Sequence, residues 1–268
     1  GYKSLAVNLS DIAAMGGVAK NAYVSVAIPE TLDINYLIKF IDGIKFLAKL
    51  YKVNLLGGDT TSSRSDFVIN ISVTGEMPQK DVLYRKGAQE GDYIYITATT
   101  GNSGIGLDLI LGNLPKDENS SYFLDAHFHP FPYLKEGKWL SRQKIASSMI
   151  DISDGLSSDL GHICEQSGTG AILYERQLPL SKEFEEYVNQ NDLDPLKYIL
   201  NSGEDYVLLF TVNPEFSNNL ESKYKKTFKK NIYKIGRITK EKGIRLLTER
   251  EIMVPLEAKG WNHFKKIE

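Results

Sequence analysis

Phe67, Ile69, Ile71 and Val73 alternate with Asn70, Ser72 and Thr74. A period of two puts the apolar set on one face of a strand and the polar set on the other, so residues 67–74 read as a half-buried β-strand. Helical periodicity precedes it. Leu5, Leu9 and Ile12 recur at i, i+4, i+7 across a helix expected at 4–15, which Gly16-Gly17 stops. Ser4, Asn8 and Asp11 share that spacing and form a narrow polar stripe. A second helix is expected at 33–51, with Leu37, Ile41, Ile44, Ala48 and Tyr51 on one face. Residues 22–28 read as a strand stopped by Pro29. Residues 53–56 read as a short buried strand entering Gly57-Gly58-Asp59-Thr60-Thr61.

The character changes near 87–91, which divides the chain into 1–88 and 89–268. Residues 93–97 are again strand-like and lead to a glycine-rich turn at 101–106 and a short helix. Residues 113–138 carry polar, proline and aromatic residues without periodicity and read as a long surface connection. Met149-Ile150-Asp151-Ile152-Ser153-Asp154-Gly155 reads as strand into helix, the helix running to about 166. Further strands are expected at 171–174, 206–212, 233–238 and 244–247, and helices near 182–189 and 215–226. Mixed elements with antiparallel-looking strands imply an α+β protein of two domains.

The 268 residues suffice for two ordinary cores. A formal net charge of −2 offers no electrostatic footprint for nucleic acid or an anionic membrane. No apolar run approaches the roughly 18 residues that span a bilayer, and no signal peptide is expected from the opening residues. Cys164 is the one cysteine, which excludes an internal disulfide and a thiolate metal cage; a cytoplasmic location is the expectation.

Four aspartates stand where chemistry is plausible: Asp11 on an apolar helix, Asp59 after two glycines at a strand end, and Asp151 and Asp154 flanking Ser153 at a strand-to-helix turn. A carboxylate beside packed apolar segments is costly unless paired or metal-bound. Mg²⁺ takes oxygen ligands, commonly one or two carboxylates plus phosphate oxygens. Each aspartate also has a structural explanation as a turn or N-cap residue, although Asp is a poor mid-helix residue at position 11. The turn at 101–106 lacks the dinucleotide and P-loop patterns, and protein-kinase signatures are absent.

Six segments in order carry a resemblance: Leu5-Ala6-Val7-Asn8-Leu9-Ser10-Asp11-Ile12-Ala13-Ala14-Met15-Gly16; Leu56-Gly57-Gly58-Asp59-Thr60-Thr61; Leu83-Tyr84-Arg85-Lys86-Gly87-Ala88 before Gly91-Asp92; Ile150-Asp151-Ile152-Ser153-Asp154-Gly155-Leu156 with Asp159-Leu160-Gly161-His162; Gly203-Glu204-Asp205-Tyr206; and Lys259-Gly260-Trp261-Asn262-His263-Phe264. Together they resemble the thiamine-monophosphate kinases, ATP-dependent enzymes of the aminoimidazole ribonucleotide synthetase-like superfamily. The resemblance implies two mixed α/β domains, the first (1–88) binding ATP and metal and forming a homodimer, and it implies Mg²⁺, several ions, with ATP as co-substrate. Asp11, Asp59, Asp151 and Asp154 would be metal ligands, with Asp59, Asp151 and Asp154 central to catalysis. Gly58, Asp59, Arg85 and Ser153 would bind ATP. Glu204 and Trp261 would bind the thiamine part of thiamine monophosphate.

The family pattern also includes an earlier segment, with a Gly-Asp-Asp element, a Ser/Thr-Asp pair and a substrate-contacting histidine, that does not occur before Gly1; the first domain is expected to be incomplete at its N-terminus. Ser202 stands where the family more often has glycine, and Thr61-Ser62-Ser63-Arg64 looks longer than the usual turn. Aminoimidazole ribonucleotide synthetase and selenophosphate synthetase share the aspartate logic, and the Gly-Glu-Asp-Tyr and Lys-Gly-Trp segments argue against them. A non-catalytic nucleotide-binding protein is the alternative of a different class.

Overall fold

The computed structural model describes residues 1–257. Trp261 and its Lys-Gly-Trp segment lie outside the described residues.

The chain opens with helix α1 (Tyr2–Ala14), which buries Leu5, Ala6, Leu9 and Ala13. Strand β1 (Val18–Pro29) follows, then helix α2 (Ile34–Tyr51), capped by the Asp33 carboxylate accepting from the Asn35 N–H and ended by Lys52 in the left-handed region at φ 57°. Next come β2 (Asn54–Gly57), β3 (Thr60–Ser63) and β4 (Val68–Glu76). β4 runs antiparallel along one edge of β1 from Val18 to Ala27. β2 pairs in parallel with Asn21 to Tyr23, and β3 pairs in parallel with Val26 to Pro29. With one edge of β1 taken by β4, β2 and β3 share the other; they are two halves of one strand broken at Gly57-Gly58-Asp59.

The alternation is realised over residues 70–74 of β4, where Ile71 and Val73 are half-buried and Asn70, Ser72 and Thr74 are exposed; Ile69 is exposed and Phe67 precedes the strand. The strand expected to be buried near 53–56 is not: β2 pairs with β1 alone, and Leu55 and Leu56 are 39% and 56% exposed. A run of apolar residues cannot distinguish a central strand from an edge strand.

The second half holds β5 (Tyr93–Ile96), α3 (Asn102–Leu111), α4 (Ser120–Phe128), α5 (Leu134–Arg142), β6 (Ala146–Asp151), α6 (Leu156–Ser167), β7 (Gly170–Tyr174), α7 (Lys182–Gln190), α8 (Pro195–Asn201), β8 (Leu208–Val212), α9 (Pro214–Ser217), α10 (Leu220–Phe228), β9 (Tyr233–Thr239), β10 (Gly243–Leu247) and β11 (Met253–Leu256). Its strands form one sheet in the order β11-β10-β7-β9-β5-β8-β6. All neighbours are antiparallel except β7 and β10. β8 is buried along its whole length and carries the centre of the core with Ile94, Ile96, Met149 and Ile235.

Two further expectations need correction. Residues 113–138 are not a surface connection, since α4 and most of α5 lie there. Their buried positions mix Ser120, Phe123, His127, Leu134, Glu136 and Gly137, so no aliphatic period is visible. Phe123 of α4 is fully buried and packs edge-on against Tyr187. Gly137 of α5 lies so close to α1 that a β-carbon would sit 2.1 Å from the Ala13 carbonyl oxygen. The single helix expected near 215–226 is two, α9 and α10, separated where Asn219 adopts φ 63°. α8 and β11 carry too few residues to show a period, and neither was anticipated.

Candidate active site

α1 crosses from the first sheet to the second and packs against β6 as well as α2, β4 and α5. That crossing brings its polar residues to the C-terminal end of β6. Ser10, fully buried, donates its hydroxyl to Asp151 Oδ2 at 2.6 Å. Burial pushes the Asp151 carboxyl up to about 6, and Asp11 next to it adds to the rise, while the Ser10 hydroxyl and the Arg85 guanidinium oppose it. Asp11 is itself raised by burial and lowered by Arg85. One cation therefore faces two crowded carboxylates.

Arg85 reaches this place because its segment is pinned at both ends. The Leu83 N–H donates to the Met15 carbonyl at 3.1 Å, and the Tyr84 carbonyl accepts from the Met149 N–H at 3.0 Å. Gly87 passes so close to β6 that a β-carbon would lie 2.4 Å from the Ser147 carbonyl oxygen, and its φ of 126° suits glycine alone.

After β6 the chain turns sharply through Ile152-Ser153-Asp154-Gly155 into α6. Asp159, one turn into that helix and 1% exposed, accepts the backbone N–H groups of both Ser153 and Asp154 on Oδ2 at 3.0 Å. This bond pair shapes the turn and leaves the Asp154 carboxylate half-exposed. Burial, with Asp151 and Asp154 nearby, pushes Asp159 up to about 7 against the pull of those two donors. One ligand atom each of Asp154, Asp159 and His162 lies within 4.8 Å of the others; Asp159 is the member already committed to the turn.

The segment Gly203-Glu204-Asp205-Tyr206 wraps over the same turn. The Glu204 N–H donates to the Ser153 carbonyl and the Tyr206 N–H to the Ile152 carbonyl, both at 2.8 Å. Glu204 and Tyr206 hold φ of 65° and 53°, a left-handed conformation that costs non-glycine residues energy. A β-carbon on Gly203 would sit 2.3 Å from the Ser153 carbonyl oxygen. Asp205 turns inward and accepts the Gly101 N–H on Oδ2 at 2.7 Å and the Ser103 N–H on Oδ1 at 3.3 Å. It caps the start of α3 and is a structural member of its motif. Burial raises the Tyr206 hydroxyl well above the phenolic range, with Glu204, Asp151, Asp11 and Asp154 all contributing. Four carboxylates thus act on one side chain.

Glu204 extends to α1. Its Oε2 lies 2.8 Å from Lys3 Nζ, and Lys3 Nζ lies 3.0 Å from Nε2 of the buried His127. An ammonium has only donors, so Nε2 is the acceptor and Nδ1 carries the proton, donating toward Ser103, whose Oγ and carbonyl oxygen lie at 3.0 and 3.2 Å.

Asp11, Arg85, Asp151, Ser153, Asp154 and Glu204 therefore converge. Asp59 stands apart within this chain. It is exposed at the break between β2 and β3, its Oδ1 accepting the Thr60 N–H at 2.9 Å and its carbonyl accepting the Val26 N–H at 2.9 Å. None of its described contacts reaches the other three aspartates. Gly58 beside it has φ 157° and runs against β1, where a β-carbon would lie 1.7 Å from the Val24 carbonyl oxygen; the close approach excludes any side chain.

Sequence reasoning missed the residues that hold this arrangement: Lys3, Ser10, Asp159 as a turn-holder, Asp205 as a helix cap, and His127. Lys3 and Ser10 are seven apart on α1 and so share a face, a signal that was available. His127 lay in the stretch without periodicity and gave none.

Asp11, Asp151 and Asp154 present oxygen donors only, and Arg85 offsets just part of their charge. A hard divalent cation such as Mg²⁺ fits that donor set, because it takes oxygen ligands and offsets the charge of neighbouring carboxylates.

Comparison with known proteins adds the following. The family model of the AIR synthase related protein N-terminal domain matches residues 1–77, and that of the AIR synthase related protein C-terminal domain matches residues 89–249. The chain is 38% identical to the thiamine-monophosphate kinase of Buchnera aphidicola subsp. Acyrthosiphon pisum (strain APS), over 98% of this chain and 80% of that one. It is 37% identical to the thiamine-monophosphate kinase of Bacillus subtilis (strain 168), over 99% of this chain and 81% of that one. The solved structure of AaThiL complexed with AMPPCP and TMP superposes with a TM-score of 0.86 at 31% identity, covering 98% of this chain and 79% of that one.

Proposed function

The chain belongs to the AIR synthase related family and, within it, to the thiamine-monophosphate kinases, and we infer from that membership and from its site that it transfers the terminal phosphoryl group of ATP to the phosphate of thiamine monophosphate, forming thiamine diphosphate. One observation carries the reading from the structure's side: the contact of Ser10 with Asp151, which joins the α1 motif to the Asp-Ile-Ser-Asp motif in a single cleft.

The main obstacle to this reaction is charge. Two unit charges about 4 Å apart repel by roughly 4 kcal/mol at an effective dielectric near 20, and several units meet when two phosphorylated molecules approach. We assign Asp11, Asp151 and Asp154, with Asp59, as ligands of Mg²⁺; when bound, Mg²⁺ supplies the positive charge that lets two anions come together. Arg85, beside Asp11 and Asp151, holds the ATP phosphates. Ser153 and Gly58 meet the nucleotide, Ser153 from the tight turn after β6 and Gly58 from the break between β2 and β3. Glu204, with Trp261, binds the thiamine part. The attacking phosphate oxygen is already an anion, so no general base is needed, and no histidine is assigned that duty. Catalysis is then positioning and charge stabilisation without a covalent intermediate.

We further propose a functional division at 88/89, a homodimer formed through the first sheet, where Tyr23, Leu56 and Val68 are exposed, and a cytoplasmic setting. No described helix is long and apolar enough to cross a membrane.

The test is turnover. Purified protein with ATP, Mg²⁺ and thiamine monophosphate should form thiamine diphosphate and ADP in equal amounts, whereas selenide in place of thiamine monophosphate should give no product. ATP bound but never consumed would overturn the reading in favour of a non-catalytic nucleotide-binding protein.

A further inference from the structure

Glu204 is not a free carboxylate. Lys3 Nζ holds its Oε2 at 2.8 Å, and the same ammonium is held from behind by His127 Nε2 at 3.0 Å. His127 is anchored in turn on Ser103, at the start of the helix that Asp205 caps. Lys3 is 22% exposed in its side chain and Glu204 42%, so the buried end of the chain of contacts is His127 and the open end is Glu204. Among the described residues Glu204 Oε1 has no hydrogen-bond partner. Its backbone is fixed independently through the Ser153 carbonyl. Lys3 takes one oxygen of Glu204 and leaves the other as a directed acceptor.

We propose that Lys3 and His127 are positioning residues that aim Glu204 Oε1 at an N–H donor of the thiamine moiety. Imidazole burial matters to the design. Burial and the adjacent Lys3 push the His127 imidazole down, against the pull of Glu204, whose Oε2 lies 3.6 Å from Nε2; the shorter contact of Nε2 is with the ammonium, at 3.0 Å. Lys3, on the same helix as Asp11, ties the substrate-recognition arm to the metal-binding arm. The inference rests on the reading of Glu204 as a substrate residue, and the experiment separates the two.

Steady-state kinetics with thiamine monophosphate and ATP varied independently are measured for Lys3→Met, Lys3→Arg, Glu204→Ala and the double variant Lys3→Met/Glu204→Ala. Loss of a charge-assisted hydrogen bond predicts that Lys3→Met raises KM for thiamine monophosphate about tenfold, with kcat and KM for ATP nearly unchanged. Lys3→Arg, which can still hold Oε2, should recover most of the loss. Because Lys3 acts through Glu204, the double variant should match Glu204→Ala alone. Multiplying effects would mean that Lys3 acts independently and would overturn the proposal, as would a Lys3→Met enzyme with unchanged KM beside an impaired Glu204→Ala. Unchanged KM in Glu204→Ala itself would remove the substrate role of Glu204. A fall in kcat and thermal stability that Lys3→Arg does not restore would reduce Lys3 to a scaffold residue.

Discussion

Ser10 Oγ and Asp151 Oδ2 lie 2.6 Å apart across 141 positions of sequence, in a place where both side chains are nearly or wholly shut off from solvent. The bond links the helix that carries Asp11 to the strand that carries Asp151. Removing it leaves a buried carboxylate short of a donor, a loss of about 1–3 kcal/mol. Ser10→Ala should lower the unfolding free energy by that amount in urea titration and raise the Mg²⁺ concentration needed for half-maximal turnover. Unchanged values of both would mean that the hydroxyl has no part in holding the two motifs together.

Asp59 and Asp151 make a contrasting pair. Asp59 is exposed and, among the described residues, its carboxylate bonds only its neighbour's N–H, a bond that asparagine can keep. Asp59→Asn should therefore melt with the parent protein yet lose roughly 100-fold or more in kcat at saturating Mg²⁺, the scale expected when a metal ligand is removed. Normal turnover would strike Asp59 from the ligand set and leave Asp11, Asp151 and Asp154 to account for the chemistry.

The contact of α5 with α1 gives a prediction about packing. A β-carbon at Gly137 would sit 2.1 Å from the Ala13 carbonyl oxygen, and backbone cannot yield as a flexible side chain does. Gly137→Ala must push the helices apart, at about 1–3 kcal/mol for overpacking. Since Asp11 lies two residues before Ala13, KM for ATP should rise along with the fall in melting temperature. A destabilised variant with unaltered kinetics would show that α1 can shift without disturbing the site.

What was legible in the sequence follows from how each feature is encoded. β4 and α1 announce themselves because their burial is carried by aliphatic residues at fixed spacing, and the fold class follows from such elements. The Asp-Ile-Ser-Asp turn is visible because a strand, a polar turn and a helix occur in succession. α5 was hidden because its contact with α1 uses glycine and serine: Gly137 against Ala13 and Ser141 against Gly16. Close helix approach is written in small residues, which hydrophobic periodicity does not count. The roles of Asp159, Asp205 and Lys3 depend on partners brought near by folding, and no local spacing encodes them. Asp205 is the sharpest case: it sits inside the Gly-Glu-Asp-Tyr motif next to the proposed substrate residue, yet its own task is to cap a helix about a hundred positions earlier.

That task has a pH signature. Burial pushes the Asp205 carboxyl up to about 7, with Glu204 adding to the rise and the Gly101 and Ser103 N–H groups and Lys3 opposing it; an unfolded Asp titrates near 3.9. The folded chain therefore binds this proton more tightly than the unfolded chain does. Its contribution to stability is fully present below about pH 4 and is lost as pH rises through about 7. Asparagine at this position keeps an acceptor for the Gly101 N–H and cannot titrate. Asp205→Asn should cost a constant amount from the weaker Ser103 contact, while the variant gains on the parent protein steadily between about pH 4 and 7 and by no more above that. Urea titrations of both proteins across pH 5–8 measure the difference directly. A difference that does not change with pH would show Asp205 to be ionised throughout, with the two backbone donors outweighing the cost of burial.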